Sequence, residues 1–224
     1  MRYNMFKIIL IAVFCFTPTI GLATYDNCLD THDSTLLLCA AKEGQTTIID
    51  KLLANKKIDP NRKNPNGYTA LMIAIIKGNN AVVAQLLADP RVDPRLKDNY
   101  GNTVLMLAAL RGNVAATAEL LLDNRVDPNV QNTQGFTALI LAAAQGHTAI
   151  VAQLLADPRI TPNKPTNNGI TALMLAAVNG YLTILQLLIE HGVVPPPTAI
   201  NLAENNGCTE CIAVLKHALK NNLS

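Results

Sequence analysis

The apolar residues of this chain fall into paired short runs at helical spacing, and the pairs return at a fixed interval. In Thr137 to Gly146 the positions Leu139, Ile140, Ala142 and Ala143 crowd one side of a helix that Thr137 can cap, and the Ala-Ala pair lets a neighbouring helix approach closely. Gly146 supplies the left-handed residue that closes such a helix. A second helix follows, in which Ile150, Val151, Leu154 and Leu155 form one buried stripe. Asp157-Pro158-Arg159-Ile160-Thr161-Pro162-Asn163 then stops it, because proline neither continues a helix nor permits one just before it. Asn167-Asn168-Gly169 turns the chain back. The pattern predicts two short antiparallel helices and a turn.

The same unit recurs along the chain. The opening threonine stands at Thr35, Thr69, Thr103, Thr137 and Thr171, a step of 34, and the glycine at Gly44, Gly78, Gly112, Gly146 and Gly180 keeps that step. One such hairpin cannot bury its apolar side alone, so recurrence predicts an all-α stack in which each unit shields its neighbours. A first, degenerate unit spans 24–63, four regular ones span 64–197, and a shortened cap follows at 198–224, with Lys216 and Lys220 facing water. The step into the cap, Thr171 to Thr198, is only 27, so its turn has been trimmed away.

Gly-x-Thr-Ala-Leu-x-x-Ala at 67–74, 135–142 and 169–176, then Gly-Asn or Gly-His, then Leu-Leu, then Asp-Pro-Asn at 127–129, together resemble the ankyrin repeat over roughly residues 31 to 219. The chain departs from that pattern in carrying Ala or Val where the family has Pro after the Thr, and Leu-Met or Leu-Ile where it has Leu-His. The missing imidazole removes a hydrogen bond that ties the family's turns together. The step is also one longer than the family's usual repeat, and the extra residue falls in the Ala-Asp-Pro-Arg connection. The resemblance implies a solenoid of about six repeats including degenerate caps, and a function in binding another protein without catalysis.

Charge narrows the partner. The formal net charge is +2, but removing Arg2 and Lys7, which lie in the N-terminal segment, takes Lys+Arg from 18 to 16 against Asp+Glu 16. A neutral chain has no electrostatic footprint for a phosphate backbone, which argues against nucleic acid. Arg91, Arg125 and Arg159 recur at one repeat position and are read as solvated loop arginines that help to hold the connection between repeats.

Residues 1–23 stand outside the array. Arg2 and Lys7 precede an apolar run from Ile8 to Phe16, then Thr17-Pro18-Thr19, then Gly21-Leu22-Ala23, the layout of a signal peptide cleaved after Ala23. The run is about half of the roughly 20 residues that cross a bilayer. Phe14 before Cys15 does not suit a lipoprotein signal. The mature chain is expected in the periplasm or secreted, free of the membrane and monomeric, and in this it resembles exported bacterial ankyrin proteins.

Export opens the cysteines to oxidation. Pairing across the ends of the stack is too long, so any bridge is local: Cys28 with Cys39, or Cys208 with Cys211. Cys208-Thr209-Glu210-Cys211 has three open readings, a redox dithiol, a local disulfide, or plain thiols with Cys211 in a core slot shared with Ile150 and Ile184. A thiol redox or metal-binding protein built on Cys208 and Cys211 is the alternative function. Zinc would need two more ligands, and His217 is the only nearby one, so no metal and no cofactor are expected. His32, His147, His191 and His217 fall in different units without metal-ligand spacing, and no phosphate-binding glycine loop or nucleophile elbow occurs. His147 is assigned to capping and packing at the start of its helix. No catalytic residue is expected.

By position, the family's inner surface falls on the turn residues Tyr68, Asn99, Tyr100, Asn102, Gln134, Phe136, Asn168 and Ile170, and on the first-helix ends Ile76, Lys77, Leu110, Arg111, Gln145 and Asn179. Aromatic anchors among neutral amides suit protein binding. Tyr68 and Phe136 can equally pack against the next turn, whereas Tyr100 sits where a turn tip belongs.

Overall fold

A computed structural model describes residues 33–221. Among these residues the chain is all-helical, with twelve helices in six consecutive hairpins. They are α1 Asp33–Glu43 and α2 Thr46–Ala54, α3 Ala70–Lys77 and α4 Asn80–Ala88, α5 Val104–Arg111 and α6 Val114–Leu122. The remaining six are α7 Ala138–Gln145 and α8 Thr148–Ala156, α9 Ala172–Asn179 and α10 Leu182–Glu190, α11 Pro197–Asn206 and α12 Thr209–Asn221. The expected signal segment 1–23, Cys28 and His32 lie outside the described residues.

The helix boundaries follow from the repeated threonine and glycine. Thr69, Thr103, Thr137 and Thr171 are extended and accept at Oγ1 from the backbone N–H three residues on, at 3.3 to 3.4 Å, which satisfies an orphan donor of each first helix. The first helix of each regular hairpin ends at a glycine with φ between 70° and 76°, whose N–H returns to the last turn. α11 starts instead at Pro197, whose fixed φ suits the first helical position.

First helices stack on first helices and second helices on second helices, each also touching its own hairpin mate. This makes the first helices more buried than a one-sided stripe. Ala138 through Ala144 are all buried, because α7 is covered by α5, α9 and α8 on three sides. The second helices keep the striped pattern, with Ile150, Val151, Leu154 and Leu155 inside α8. One continuous core of mainly Leu, Ile, Val, Met and Ala runs from Leu37 to Leu215. No helix among the described residues is long and apolar enough to cross a membrane.

Candidate functional site

The turns between hairpins are held by short polar side chains at the register of Asn64. Asn64 Oδ1 accepts from the N–H of Asn66 and of Tyr68, Asp98 Oδ1 from Tyr100 and Asn102, and Asn132 Oδ1 from Gln134 and Phe136. These are Asx turns, which fix the backbone without help from a distant group. Thr166 does the same more sparingly, accepting only from Ile170 at 3.1 Å. Successive turns are joined as well. Asn99 N donates to Asn66 O at 3.3 Å, Thr133 N to Tyr100 O at 3.1 Å and Asn167 N to Gln134 O at 3.2 Å. Asn99 and Asn167 add amide bonds to Pro65 O and Thr133 O, and Asn132 Nδ2 donates to Asn102 Oδ1 at 2.8 Å within the buried layer. The tie that the absent Leu-His imidazole leaves open is thus met by amide and carboxylate side chains in the turns themselves.

The connections that follow the second helices are sewn by the recurring arginines. Arg91, Arg125 and Arg159 each fork onto the aspartate two residues earlier, Asp89, Asp123 and Asp157, at 2.6 to 2.7 Å. Each also reaches back one repeat. Arg91 donates to Ile58 O and Leu53 O, Arg125 to Val92 O, and Arg159 to Val126 O and Leu121 O. The side-chain hydrogen bond from each arginine, opposed by desolvation, holds the three aspartate carboxyls below the ordinary range and raises the arginines further above theirs. These side chains are therefore bound staples between repeats, more engaged than a solvated loop arginine.

The surface residues expected from the sequence separate into two sets. Tyr68, Asn102 and Phe136 are only 8%, 5% and 7% exposed. They share one register, the residue after each turn glycine, and point inward, so they support the turns and contribute little contact area. Ile170, in the same register, is half-buried. The tip register two residues earlier points outward: Tyr100 is 64% exposed, and Gln134 and Asn168 are exposed with it, as is Asn99 beside Tyr100. At the first-helix ends Lys77 and Arg111 are exposed and Ile76, Leu110, Gln145 and Asn179 are half-buried. Asn179 Nδ2 also bonds Ala144 O across the repeat at 3.3 Å. Thr133 and Lys97, which the sequence reading passed over, belong to the same row; the recurrence of Lys63 and Lys97 at the repeat interval was the available signal.

His147 lies over the capping glycine of the preceding repeat: its imidazole would stand 2.9 Å from a Cβ built at Gly112. Asn79 occupies the equivalent place, and its amide donates to Ala41 O and Lys42 O. The histidine is a packing element between repeats, with no side-chain capping bond. Cys208 Sγ is joined to Cys211 Sγ, with Cα atoms 5.3 Å apart, and Cys211 is fully buried in the last hairpin. Cys39 is disulfide-bonded too, and Cys28, the partner expected for it, lies outside the described residues. Among the described residues, no three His, Cys, Asp or Glu side chains converge in a way that could hold a metal ion.

A family model described as ankyrin repeats in three copies matches residues 81–164 and 105–196, and a second, ankyrin repeats in many copies, matches 52–108. The chain belongs to the ankyrin repeat family. The crystal structure of the ankyrin repeat protein EF0377 superposes with a TM-score of 0.76 at 27% identity, covering 83% of this chain and 98% of that one. An ankyrin repeat domain from Acinetobacter baumannii AYE gives 0.72 at 28% identity, over 82% and 97% of the two chains. No curated protein sequence matches. Ankyrin repeats are general protein–protein interaction scaffolds and are typically non-catalytic, and this ankyrin chain has the solenoid that such scaffolds use.

Proposed function

We propose that the protein is an exported, monomeric, non-catalytic scaffold that grips a partner protein through the concave row of turn tips and first-helix ends. The observation that carries this reading is Tyr100. The residue is 64% exposed, while its backbone is held on both sides by Asp98 Oδ1 and by the N–H and Oγ1 of Thr133. An aromatic side chain standing out from a fixed backbone offers contact area at little cost in ordering, which is what a binding hot spot needs. Leu110 and Arg111, from the same repeat, continue the row.

Export is supported by the leader-like composition of residues 1–23, with cleavage after Ala23, and by cysteines engaged in disulfides, which persist in oxidising compartments. The periplasm, or the exterior of the cell, is the proposed location. The test is affinity capture with the mature form from the exported fraction, followed by mass spectrometry. A Tyr100→Ala/Leu110→Ala/Arg111→Ala variant is expected to lose the captured protein while keeping its helical circular dichroism. Undiminished capture by that variant would refute the surface, and accumulation of the chain in the cytoplasm with residues 1–23 retained would refute export.

A further inference from the structure

The charges of the regular repeats are segregated by segment. In the turn-plus-first-helix segments 63–77, 97–111, 131–145 and 165–179 the charged residues are Lys63, Lys77, Lys97, Arg111 and Asp98. Asp98 is buried and spends its oxygens on its own turn, bonding Tyr100, Asn102 and the Asn102 amide. The four cations are all exposed, and among the described residues none has a carboxylate within ion-pair distance. Lys63 and Lys97 lean on the next turn, donating to Lys97 O and Gln131 O. The aspartates of these repeats, apart from Asp98, lie instead in the connections that follow the second helices, four of them already paired with arginine. The row is also graded along its length. All four cations belong to the first two segments, flanking Tyr100 and Leu110, and the last two segments hold no charge, presenting Gln134, Gln145, Asn168 and Asn179. Lys164, just ahead of the last segment, is half-buried and turns back onto Asn129 O at 2.9 Å.

We infer that the partner contributes an acidic, extended protein segment, its carboxylates lying along Lys63, Lys77, Lys97 and Arg111, separate apolar residues seated at Tyr100 and at Leu110, and an uncharged continuation along the amide half. This rests on the groove reading above and deepens it by giving the partner a composition and a direction. Glu43, at the register of Lys77 one repeat earlier, is matched by Lys42 at 3.7 Å, so the strip keeps a net positive charge. Such a strip attracts anions and repels basic segments, so it sets specificity and association rate more than total affinity. Four cations, one exposed aromatic and a neutral second half are too few for a nucleic-acid track, which needs a basic stripe with repeated stacking platforms. Four repeats at about 10 Å each span roughly 30 Å between the first and the last, the reach of about ten extended residues.

The test uses the full mature chain and fluorescent peptides of about twelve residues, one alternating Glu and Leu in its first half with Ser and Asn in its second, one with every Glu replaced by Gln, and one with the halves exchanged. The first peptide is expected to bind about tenfold more tightly than the Gln peptide at low salt, with the advantage shrinking as salt is added. Lys77→Glu/Arg111→Glu should remove that advantage, and Lys51→Glu/Lys220→Glu, away from the row, should leave it. Equal binding of the Glu and Gln peptides, lost in Tyr100→Ala, would overturn the acidic-partner inference and leave the groove reading intact. Equal binding that Tyr100→Ala does not touch would overturn both. Tighter binding of a thymidine oligonucleotide of the same length would overturn the inference in favour of nucleic acid, and a dimer dissolved by Lys77→Glu/Arg111→Glu would do so in favour of a second copy.

Discussion

Arg159 donates from Nη2 to the carbonyl oxygen of Leu121 at 2.9 Å, a bond that spans 38 positions and joins the C-terminal end of α6 to the connection after α8. The same guanidinium bonds Val126 O at 3.0 Å and Asp157 Oδ2 at 2.6 Å, so one side chain holds carbonyls of one repeat and the carboxylate of the next. Arg159→Ala leaves those carbonyls to water or unpaired. The expected loss is about 1–2 kcal/mol of unfolding free energy, since the site is only partly exposed and each such bond contributes about 1 kcal/mol net. Arg159→Lys should recover less than half, because an ammonium cannot fork onto a carboxylate and two carbonyls in one plane. A urea titration reads both; an unchanged midpoint for the alanine variant would show the staple to be incidental.

The acid limb of stability follows from the partner groups. Asp89, Asp123 and Asp157 have carboxyls held below their ordinary range, chiefly by the arginine side-chain hydrogen bonds. In the unfolded chain these groups protonate near pH 4. A folded value below the unfolded one means that the contribution is fully present above about pH 4 to 5 and is lost as the pH falls through the folded values. The melting temperature should be level from pH 7 to about 5 and fall below about 4. Asp89→Asn/Asp123→Asn/Asp157→Asn should start lower and fall less steeply. An acid limb as steep as wild type in the triple variant would assign it to other carboxylates.

Much of this architecture is legible in the sequence because the residues that specify it act within one repeat. Thr137 bonds Ile140, three residues on, and Gly146 closes its own helix, so a 34-residue step in Thr and Gly is enough to place the four regular hairpins. Contacts between repeats are harder to read. Arg159 to Leu121 and Asn79 to Ala41 depend on how far one unit rises and turns over the last, which no local pattern states. The groove lies between these cases. Tyr68 and Tyr100 look alike in composition, but subtracting the repeat step places Tyr100 with Asn66 at the tip and Tyr68 with Asn102 inside. Register, not residue type, decides which tyrosine meets a partner.

The capping glycines allow backbone strain to be separated from packing. Gly78 and Gly146 have nearly the same φ, 76° and 75°, yet a Cβ at Gly78 meets nothing within 4 Å, whereas at Gly146 it would stand 2.8 Å from the Tyr181 ring. Gly78→Ala should therefore cost only the left-handed penalty, about 1–2 kcal/mol. Gly146→Ala should cost that plus the displacement of the ring, about 1–3 kcal/mol more. In a Tyr181→Ala background the clash is gone, so the added effect of Gly146→Ala should fall to the Gly78→Ala value. A double-mutant cycle on thermal or urea unfolding reads the difference. Equal effects of Gly146→Ala in both backgrounds would mean that the ring yields without cost.

The last hairpin carries a covalent tie of its own, where the four regular hairpins rely on packing and hydrogen bonds. Cys208 follows the capping Gly207 as Asn113 follows Gly112, and its Sγ accepts from the Cys211 N–H at 3.3 Å, the place a side-chain cap occupies in α6. The disulfide to Cys211 closes a very short loop, so the chain-entropy account gives it about 2 kcal/mol at most. Cys211 is fully buried, so alanine rather than serine is the informative replacement, sparing the core an unpaired hydroxyl. Cys208→Ala/Cys211→Ala should lower the stability of the C-terminal hairpin by about 1–2 kcal/mol and speed amide exchange in α12, with Thr69-capped α3 and its neighbours unaffected, because a stacked array transmits stability only between adjacent units. Reducing the wild type with dithiothreitol should shift exchange in α12 in the same direction. Exchange that rises equally in α3 and α12 on losing the bridge would show the array to unfold as one cooperative body, with the bridge stabilising all of it.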